Sequence, residues 1–430
     1  MEELKDIPDE FIGPILPCLD ILERTSLFIY EKPRSFWKKY SSLFLAVVSV
    51  VAYHTSLTVN MFKLFKGELQ LDELAYVVSV YVVCTQAILK GTVVALNKKE
   101  IRTIIAELGR IWRTEGFTEL QINKKNALLK RLKFCYTVFY WMNIIGSWQY
   151  ILAPLLETVF RRYILQQECG LLLPFSCSFP FDPTGNWGRY IGVYIFETYS
   201  MFRIVYFYLG TEFLMITLCS HLATEFTLLQ DDLLNIEPAI KSNKSSWKNI
   251  RLLKNVIVKH QKLISLSQQL DNIFNKVIFV NLTSASITIC FFGFGAKVAR
   301  GALEMANNFI AVVSLIYPLF NLCYYGELLR ESSAGIADSA YHNLWYLGDL
   351  SYQKLLWFVI RRSHKPCSVT SMKYNPIALT TFTTVYDHLI LKDNIVIFII
   401  IIIMSARYHP LLGIGLPFFL SIYSICRFCK

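Results

Sequence analysis

The chain has 430 residues, of which 54% are hydrophobic and 17% charged, and its formal net charge is +11. Its mean hydropathy of +0.40 is too high for a single soluble domain. The apolar residues gather in runs of about 20, the length needed to cross about 30 Å of hydrocarbon. The composition therefore predicts a polytopic membrane protein.

Seven membrane-spanning helices are predicted in chain order. Six apolar runs lie at 42–60, 74–96, 134–156, 190–218, 277–296 and 305–325, and a seventh begins after Pro376. We expect an all-α membrane protein that divides into an N-terminal segment, six spans, a group of anchor helices, and an atypical seventh span with a tail, at 1–41, 42–325, 326–372 and 373–430.

The distribution of basic residues predicts the orientation. If the N-terminus lies inside, the inner segments carry 28 Lys and Arg residues and the outer loops carry 7. Because basic residues concentrate on the cytoplasmic side, the N-terminus is predicted to be cytoplasmic, opposite to a rhodopsin-type receptor. The positive net charge then belongs to loops beside an anionic leaflet, and no nucleic-acid partner is expected.

One basic residue falls inside a predicted span. Lys90 lies in the inner half of the second span, where a charged side chain is costly. Two arrangements are open at this point. The side chain either extends to the cytoplasmic interface or pairs with an acidic group inside the membrane.

The helical pattern continues beyond the membrane on the cytoplasmic side. After the fourth span, apolar residues follow a spacing of four, three and four, at Leu222, Phe226, Leu229 and Leu233. The period resumes at 250–274 after a polar break, and residues 327–362 also read as helix. These segments predict that spans 4 and 5 extend into the cytoplasm and form, with 327–362, an anchor domain for subunit assembly.

The cysteines and histidines indicate no catalytic or metal chemistry. Most of the 11 cysteines stand singly in spans, but Cys169 and Cys177 share the second outer loop. An oxidising exterior permits a disulfide there, and two unpaired thiols are the alternative. The histidines are isolated, and no P-loop, GxGxxG or GxSxG motif occurs. Neither an enzyme nor a cofactor is predicted.

Two segments near the C-terminus are the most informative part of the chain. The first, CYYGELLRESSAGIADSAYHNLW at 323–345, places Ser333, Ala337 and Ala340 along one helix face. The second, KPCSVTSMKYNPIALTTFTTV at 365–385, opens a Thr-rich final span. Together they resemble the C-terminal signature of the insect odorant receptors.

The resemblance covers about 37–385, most of the chain. LPFSCSFPFDPTGNW at 173–187 is similar to the family's second outer loop, and HQKLISLSQQLDNIF at 260–274 is similar to its stretch before span 5. The family implies an odour-gated cation channel subunit in the plasma membrane of sensory-neuron dendrites. Its implied partners are a shared co-receptor subunit, a small volatile odorant and the lipid bilayer.

The family also implies that odorants bind in the outer halves of the spans. Such a pocket is mainly apolar, with a few polar groups that orient the ligand. Packing or lipid contact is the alternative for every aromatic residue in these spans. The candidate odorant-binding residues are Tyr76, Val80, Tyr81, Ile145, Trp148, Tyr150, Ile151, Tyr194, Phe196, Tyr199 and Val312.

Gating and assembly residues follow from the same resemblance. The seventh span would line the pore, with the candidate pore and gate residues Thr381, Phe382, Thr384 and Val385. Subunits would join through the cytoplasmic anchor, with the candidate residues Tyr325, Gly326, Ser333, Ala337, Tyr341 and Trp345.

After Val385 the resemblance ends. Asp387, His388, Lys392 and Asp393 stand where a pore helix should cross the membrane, and two short apolar runs follow. The isoleucine-rich tail is typical of translated intron or a splice variant, and a divergent seventh span is the alternative. A second function therefore stays open, that of a non-conducting isoform or a membrane scaffold or accessory subunit.

Overall fold

The structure is a computed structural model that describes residues 7–30, 36–66, 71–164, 166, 170–175, 177–238, 246–298 and 302–390. Its first helices are α1 (Asp9–Ile12), α2 (Ile15–Arg24), α3 (Phe36–Phe65), α4 (Leu71–Leu96) and α5 (Lys98–Ile111). Then come α6 (Glu119–Val159), a π-helical turn (Phe160–Ile164), α7 (Trp187–Asn235), α8 (Ser246–Val298) and α9 (Ala302–His342). A 3-10 turn (Trp345–Leu347), α10 (Leu350–Ser363), the antiparallel strands β1 (Thr370–Ser371) and β2 (Asn375–Pro376), and α11 (Leu379–Ile390) follow.

The predicted all-α membrane fold is confirmed. Five helical segments of the described chain are long and apolar enough to cross a membrane: Tyr40–Lys63, Tyr76–Leu96, Trp187–Asn235, Lys248–Ala296 and Asn307–His342. They coincide with predicted spans 1, 2, 4, 5 and 6. The third predicted span lies within α6, and the seventh begins in α11.

Helices α7 and α8 extend well beyond the membrane, as the sequence predicts. They have 49 and 53 residues, or about 74 and 80 Å at 1.5 Å per residue, against about 30 Å of hydrocarbon. The four apolar residues of the predicted α7 face are completely buried. They join a large cluster of buried side chains, the main core, which reaches from Ile7 to Ile377 along the chain.

The N-terminal helices belong to this main core, which the sequence pattern did not predict. Phe11, Cys18 and Leu22 are completely buried, and α2 packs along α7. Gly210 of α7 permits this close approach, since a Cβ at that position would lie 2.6 Å from the Leu22 side chain. Ser26, with φ 66°, ends the helical turn and redirects the chain.

The prediction of helix throughout 327–362 was wrong for the middle of this segment, where the helix is interrupted. Helix α9 ends just before Asn343, whose side-chain amide donates to the carbonyls of Leu233 at 2.9 Å and Ile236 at 2.7 Å. These carbonyls lie at the C-terminal end of α7, where helical partners are lacking. Asp349 then begins α10 by accepting a backbone N–H at 2.8 Å. The hydrogen bonds from Asn343 to the end of α7 thus take the place of α-helix at 343–349.

Residues 391–430 contain most of the atypical tail and lie outside the described residues. Both interpretations of the tail therefore stay predictions. Helix α11 begins at Leu379, close to the predicted start of the seventh span, and is described to Ile390.

Candidate functional site

Apolar and aromatic side chains cluster between α3, α4 and α7 in the outer part of the membrane. We call this group the outer cluster. Its buried members are Val50, Tyr53, Leu57, Cys84, Ala87, Phe175 and Ile204. Three helices and the second outer loop therefore contribute to one enclosed apolar region.

Five of the predicted odorant-binding residues pack against the outer cluster. Tyr76, Val80 and Tyr81 come from α4, Tyr150 from α6 and Phe196 from α7, and all five are half-buried. The rings of Tyr76 and Tyr150 lie 6.1 Å apart. Residues far apart in the sequence thus meet at one place.

The other predicted contacts lie elsewhere. Ile145 and Trp148 on α6 are 62% and 46% exposed, which is the environment of a lipid-facing side chain. The Tyr194 hydroxyl donates to the carbonyl of buried Ile151. Tyr199 accepts a hydrogen bond from an arginine on its own helix, and Val312 is half-buried on α9. None of these six residues belongs to the outer cluster, so their predicted ligand contact gains no support.

The second outer loop covers the outer cluster. Phe175 of this loop makes an edge-to-face contact with Tyr53, at 5.9 Å between ring centroids. Ser56, Tyr76 and Tyr190 each donate a hydroxyl hydrogen bond to a loop carbonyl, at 2.8, 2.9 and 2.8 Å. Because three helices hold the loop through its backbone, Phe175 is positioned over the cluster as a cap.

The two outer-loop cysteines have different status. Cys177 is a free, half-buried thiol that packs against the outer cluster. Burial raises its pKa. Cys169 lies outside the described residues, so the disulfide between Cys169 and Cys177 stays a prediction.

Glu197 is a residue of this site that sequence reasoning missed. It lies on α7, completely buried, and its Oε2 accepts the backbone N–H of Phe175 at 3.3 Å. Its Oε1 has no hydrogen-bond partner within the described part of the chain. The available signal was an acidic residue inside a predicted span, since such residues are costly and commonly functional.

A second group of polar side chains lies deeper in the membrane and contains the partner of Lys90. The Lys90 ammonium lies 2.5 Å from Glu212 of α7 and 4.1 Å from the ring centroid of Tyr208. Asn281 of α8 donates to the same Glu212 oxygen at 2.5 Å, and Gln86 donates to Asn281. We call these residues the inner polar cluster. Lys90 therefore pairs inside the membrane and does not extend to the interface.

Comparison with known proteins supplies the family. The model of the 7tm odorant receptor family matches residues 70–388. The chain belongs to this family. Among relatives from Drosophila melanogaster, odorant receptor 85b is 24% identical over 67% of this chain and 72% of its own length. Odorant receptor 13a is 24% identical over 55% of this chain and 59% of its own length.

The fold of this family member is also found in solved structures. The insect olfactory receptor OR5 from Machilis hrabei is similar with a TM-score of 0.73 at 12% identity, over 89% of this chain and 98% of that one. The structure of that receptor in complex with eugenol gives a TM-score of 0.74 at 12% identity, over 91% of this chain and 100% of that one. At this identity the likeness concerns the fold.

The predicted pore residues lie on the first turns of α11. Thr381 accepts the Ala378 N–H at 3.4 Å and donates to the Pro376 carbonyl at 3.2 Å, so it stabilises the helix start. Phe382 packs on Phe320 of α9, at 5.6 Å between centroids. The exposed Thr384 bonds back to its own helix, and the side chain of Val385 lies outside the described residues. Their pore and gate roles stay predictions.

The predicted anchor residues divide into buried and exposed groups. Tyr325 and Ser333 are each 2% exposed, and Ser333 accepts the Cys367 N–H at 2.8 Å. A Cβ on Gly326 would lie 2.7 Å from the carbonyl oxygen of Ile377. Ser333 and Gly326 therefore hold the 365–377 segment within the chain, and Tyr325 lies in the main core. Ala337 and Trp345 are half-buried and Tyr341 is exposed, and the assembly role of all six stays a prediction.

Proposed function

We propose that this chain is an odorant receptor subunit that binds a small volatile ligand at the outer cluster. Binding gates a cation current in a heteromer with a shared co-receptor in the plasma membrane of sensory-neuron dendrites. The observation that carries the proposal is the convergence of five predicted contact residues from three helices beneath the loop cap of Phe175. The eugenol complex of the structurally similar Machilis hrabei receptor supports a small-molecule ligand.

The chemistry of the outer cluster suits a small apolar molecule. Aromatic rings offer a large contact area with little loss of side-chain entropy. A volatile that removes about 150 Å² of apolar surface from water gains about 4 kcal/mol, which corresponds to a Kd of about 1 mM. A more sensitive response therefore requires additional polar contacts at this place.

Helix α7 provides a direct route from the ligand to the rest of the subunit. It contributes Ile204 to the outer cluster and its cytoplasmic half to the main core, and Tyr208 packs against both. Helix α9, which also packs along α7, contacts the pore-helix candidate α11. A ligand shifts gating by its difference in affinity between the closed and open states, and these helices carry the shift.

The test is whole-cell current from cells that co-express this chain with an insect odorant co-receptor, challenged with a panel of volatiles. We expect an evoked current that cells with co-receptor alone lack. Phe175→Leu should raise the EC50 about five- to tenfold, because it removes an aromatic contact of about 1 kcal/mol. Trp148→Leu, on the exposed face of α6, is the matched control and should leave the EC50 within about twofold.

Surface labelling confirms that both variants reach the plasma membrane. Equal sensitivity of the two variants would contradict ligand binding at the outer cluster.

The second candidate function is a non-conducting or accessory subunit. This function is supported by an apolar surface at the cytoplasmic end of the chain. Such a surface is suited to subunit assembly whether or not the chain forms a pore. The exposed residues are Tyr341, Leu344, Tyr346, Leu347, Leu350, Trp357 and Phe358, each at least 50% exposed. Absence of current from a surface-expressed chain that co-purifies with the co-receptor would favour this function over the first.

A further inference from the structure

The outer cluster contains one polar side chain whose hydrogen-bonding capacity is incompletely used. Glu197 is 0% exposed, its Oε2 accepts the Phe175 N–H at 3.3 Å, and the Cys177 thiol lies beside the carboxyl group. Its Oε1 is buried and has no hydrogen-bond partner among the described residues. Because most buried polar atoms in proteins are paired, this oxygen calls for a functional explanation.

Nearby hydroxyl groups do not supply the partner. Those of Tyr76, Tyr190 and Tyr194 lie close enough to interact electrostatically with Glu197, but each donates to a backbone carbonyl. In the described part of the chain, no Lys, Arg or His forms an ion pair with Glu197. The Cys177 thiol and the Tyr53 side chain also interact with the carboxyl group, but Oε1 has no hydrogen-bond partner among the described residues.

The lack of a cation paired with Glu197 among the described residues determines which form of the carboxyl group is present. An ionised carboxylate is very costly to bury without a cation, so the group is neutral. Its Oε2 accepts the Phe175 N–H and acts as the carbonyl oxygen, which leaves the hydroxyl on Oε1. A buried O–H donor without an acceptor thus lies beside Phe175, the residue that covers the outer cluster.

We propose that Oε1 of Glu197 donates a hydrogen bond to the carbonyl oxygen of the odorant, so that the receptor selects ketones, aldehydes or esters over alkanes of matched size. This inference rests on the proposed function, because it assigns the ligand class of the same site. The apolar residues of the outer cluster then bind the hydrocarbon part of the ligand, and Glu197 orients its single polar group.

A volatile amine is the rival ligand for the same hydroxyl. Its nitrogen would take the Glu197 proton and leave an ammonium–carboxylate pair beneath Phe175. Burial opposes the formation of two charges, so the carbonyl class is favoured. Glutamine in place of Glu197 separates the two, because its amide N–H still donates to a carbonyl but has no proton to transfer to an amine.

The experiment compares wild type, Glu197→Gln, Glu197→Leu and Ser200→Ala, each co-expressed with the co-receptor and verified by surface labelling. Ser200 is the matched control because it is a completely buried polar residue one turn along the same helix. The probes are 2-heptanone, heptyl acetate, 2-aminoheptane and octane. Dose–response curves of current give the EC50 of each probe for each receptor variant.

In wild type we expect carbonyl probes to be at least about tenfold more potent than octane, the value of one hydrogen bond. Glu197→Leu should remove this advantage and leave octane unchanged, while Glu197→Gln should keep it within about threefold. Ser200→Ala should behave as wild type. An amine preference that Glu197→Gln abolishes, or a carbonyl preference that survives Glu197→Leu, overturns the inference but leaves odorant binding intact.

A binding measurement separates this inference from failure of gating. If no probe evokes current, thermal unfolding of the detergent-solubilised heteromer with and without 2-heptanone reports binding alone. If 2-heptanone stabilises the wild-type heteromer but not the Glu197→Leu variant, the inference is supported even though no current is gated. Equal shifts in both, or no shift in either, overturn it.

Discussion

The Lys90–Glu212 pair is a buried charge pair in the membrane, and its two partners depend on each other. Both side chains are at most 1% exposed, and their atoms lie 2.5 Å apart. Breaking such a pair is more costly than replacing both members, because one partner is left buried as an uncompensated charge. The pair joins α4 to α7 at a point where the bilayer offers no alternative partner.

At this residue pair we predict that Lys90→Met lowers the free energy of unfolding by about 3–5 kcal/mol. Glu212→Leu should have a similar cost, since the Lys90 ammonium would lose its carboxylate. The double variant should recover a large part of the loss, and thermal unfolding in detergent measures all three. A loss in the double variant equal to the sum of the single losses would contradict the coupling of the two groups.

The Cys18 thiol offers a test of the N-terminal packing. It is buried against Tyr136 of α6 and Thr217 of α7, and burial raises its pKa to about 11. A raised thiol pKa keeps the group protonated below that pH. At pH 8 roughly a thousandth of the thiol is then the reactive thiolate, against about a quarter for an ordinary cysteine.

We therefore predict that Cys18 reacts with a maleimide at least about a hundredfold more slowly at pH 8 than an ordinary thiol. Leu16→Cys is the matched control, because Leu16 lies on the same helix and is 41% exposed. Mass spectrometry of the labelled peptides measures both sites. Rapid labelling of Cys18 in the folded protein would show that α2 does not pack against α7 as described.

At the scale of elements, close backbone approach joins the segment before α11 to α9. Gly326 permits this contact, since a Cβ there would meet the backbone carbonyl of Ile377 at 2.7 Å. A backbone atom cannot rotate away as a side chain can, so relief requires displacement of the whole 365–377 segment. The start of the pore-helix candidate α11 would move with it.

We predict that Gly326→Ala lowers the free energy of unfolding by about 1–3 kcal/mol, the usual cost of overpacking. Gly146→Ala in α6 is the matched control, because a Cβ at that position has no neighbour within 4 Å. Alanine there should be neutral or stabilising by about 0.5–1 kcal/mol. Thermal unfolding in detergent compares the two, and equal stability would contradict the described approach of Ile377.

Long elements were predictable where their periodicity is strong. The spacing of Leu222, Phe226, Leu229 and Leu233 predicted that α7 continues past the membrane, because one apolar face needs a partner along its whole length. Helix α2 was not predicted. It has only ten residues, and its burial depends on the space that Gly210 leaves on α7.

At the scale of the whole molecule, the proposed ligand site and the proposed assembly region lie at opposite ends of α7. The outer cluster is separate from the main core, which gathers the N-terminal helices, the cytoplasmic halves of α7 and α8, and the segment before α11. Tyr208 packs against both and lies over the Lys90 ammonium. The inner polar cluster therefore lies at the junction between the outer cluster and the main core.

The sequence by itself determined the class of protein, the positions of five spans and the long helices that continue past them, and it predicted their orientation. These features depend on local composition, periodicity and charge, which need no knowledge of neighbours. Only the tertiary structure decided that Lys90 pairs with Glu212, 122 residues away, and that Tyr76 faces the outer cluster while Trp148 faces outward. A ring that faces a ligand and a ring that faces lipid are equally apolar, so hydropathy cannot distinguish them; packing between distant helices makes that distinction.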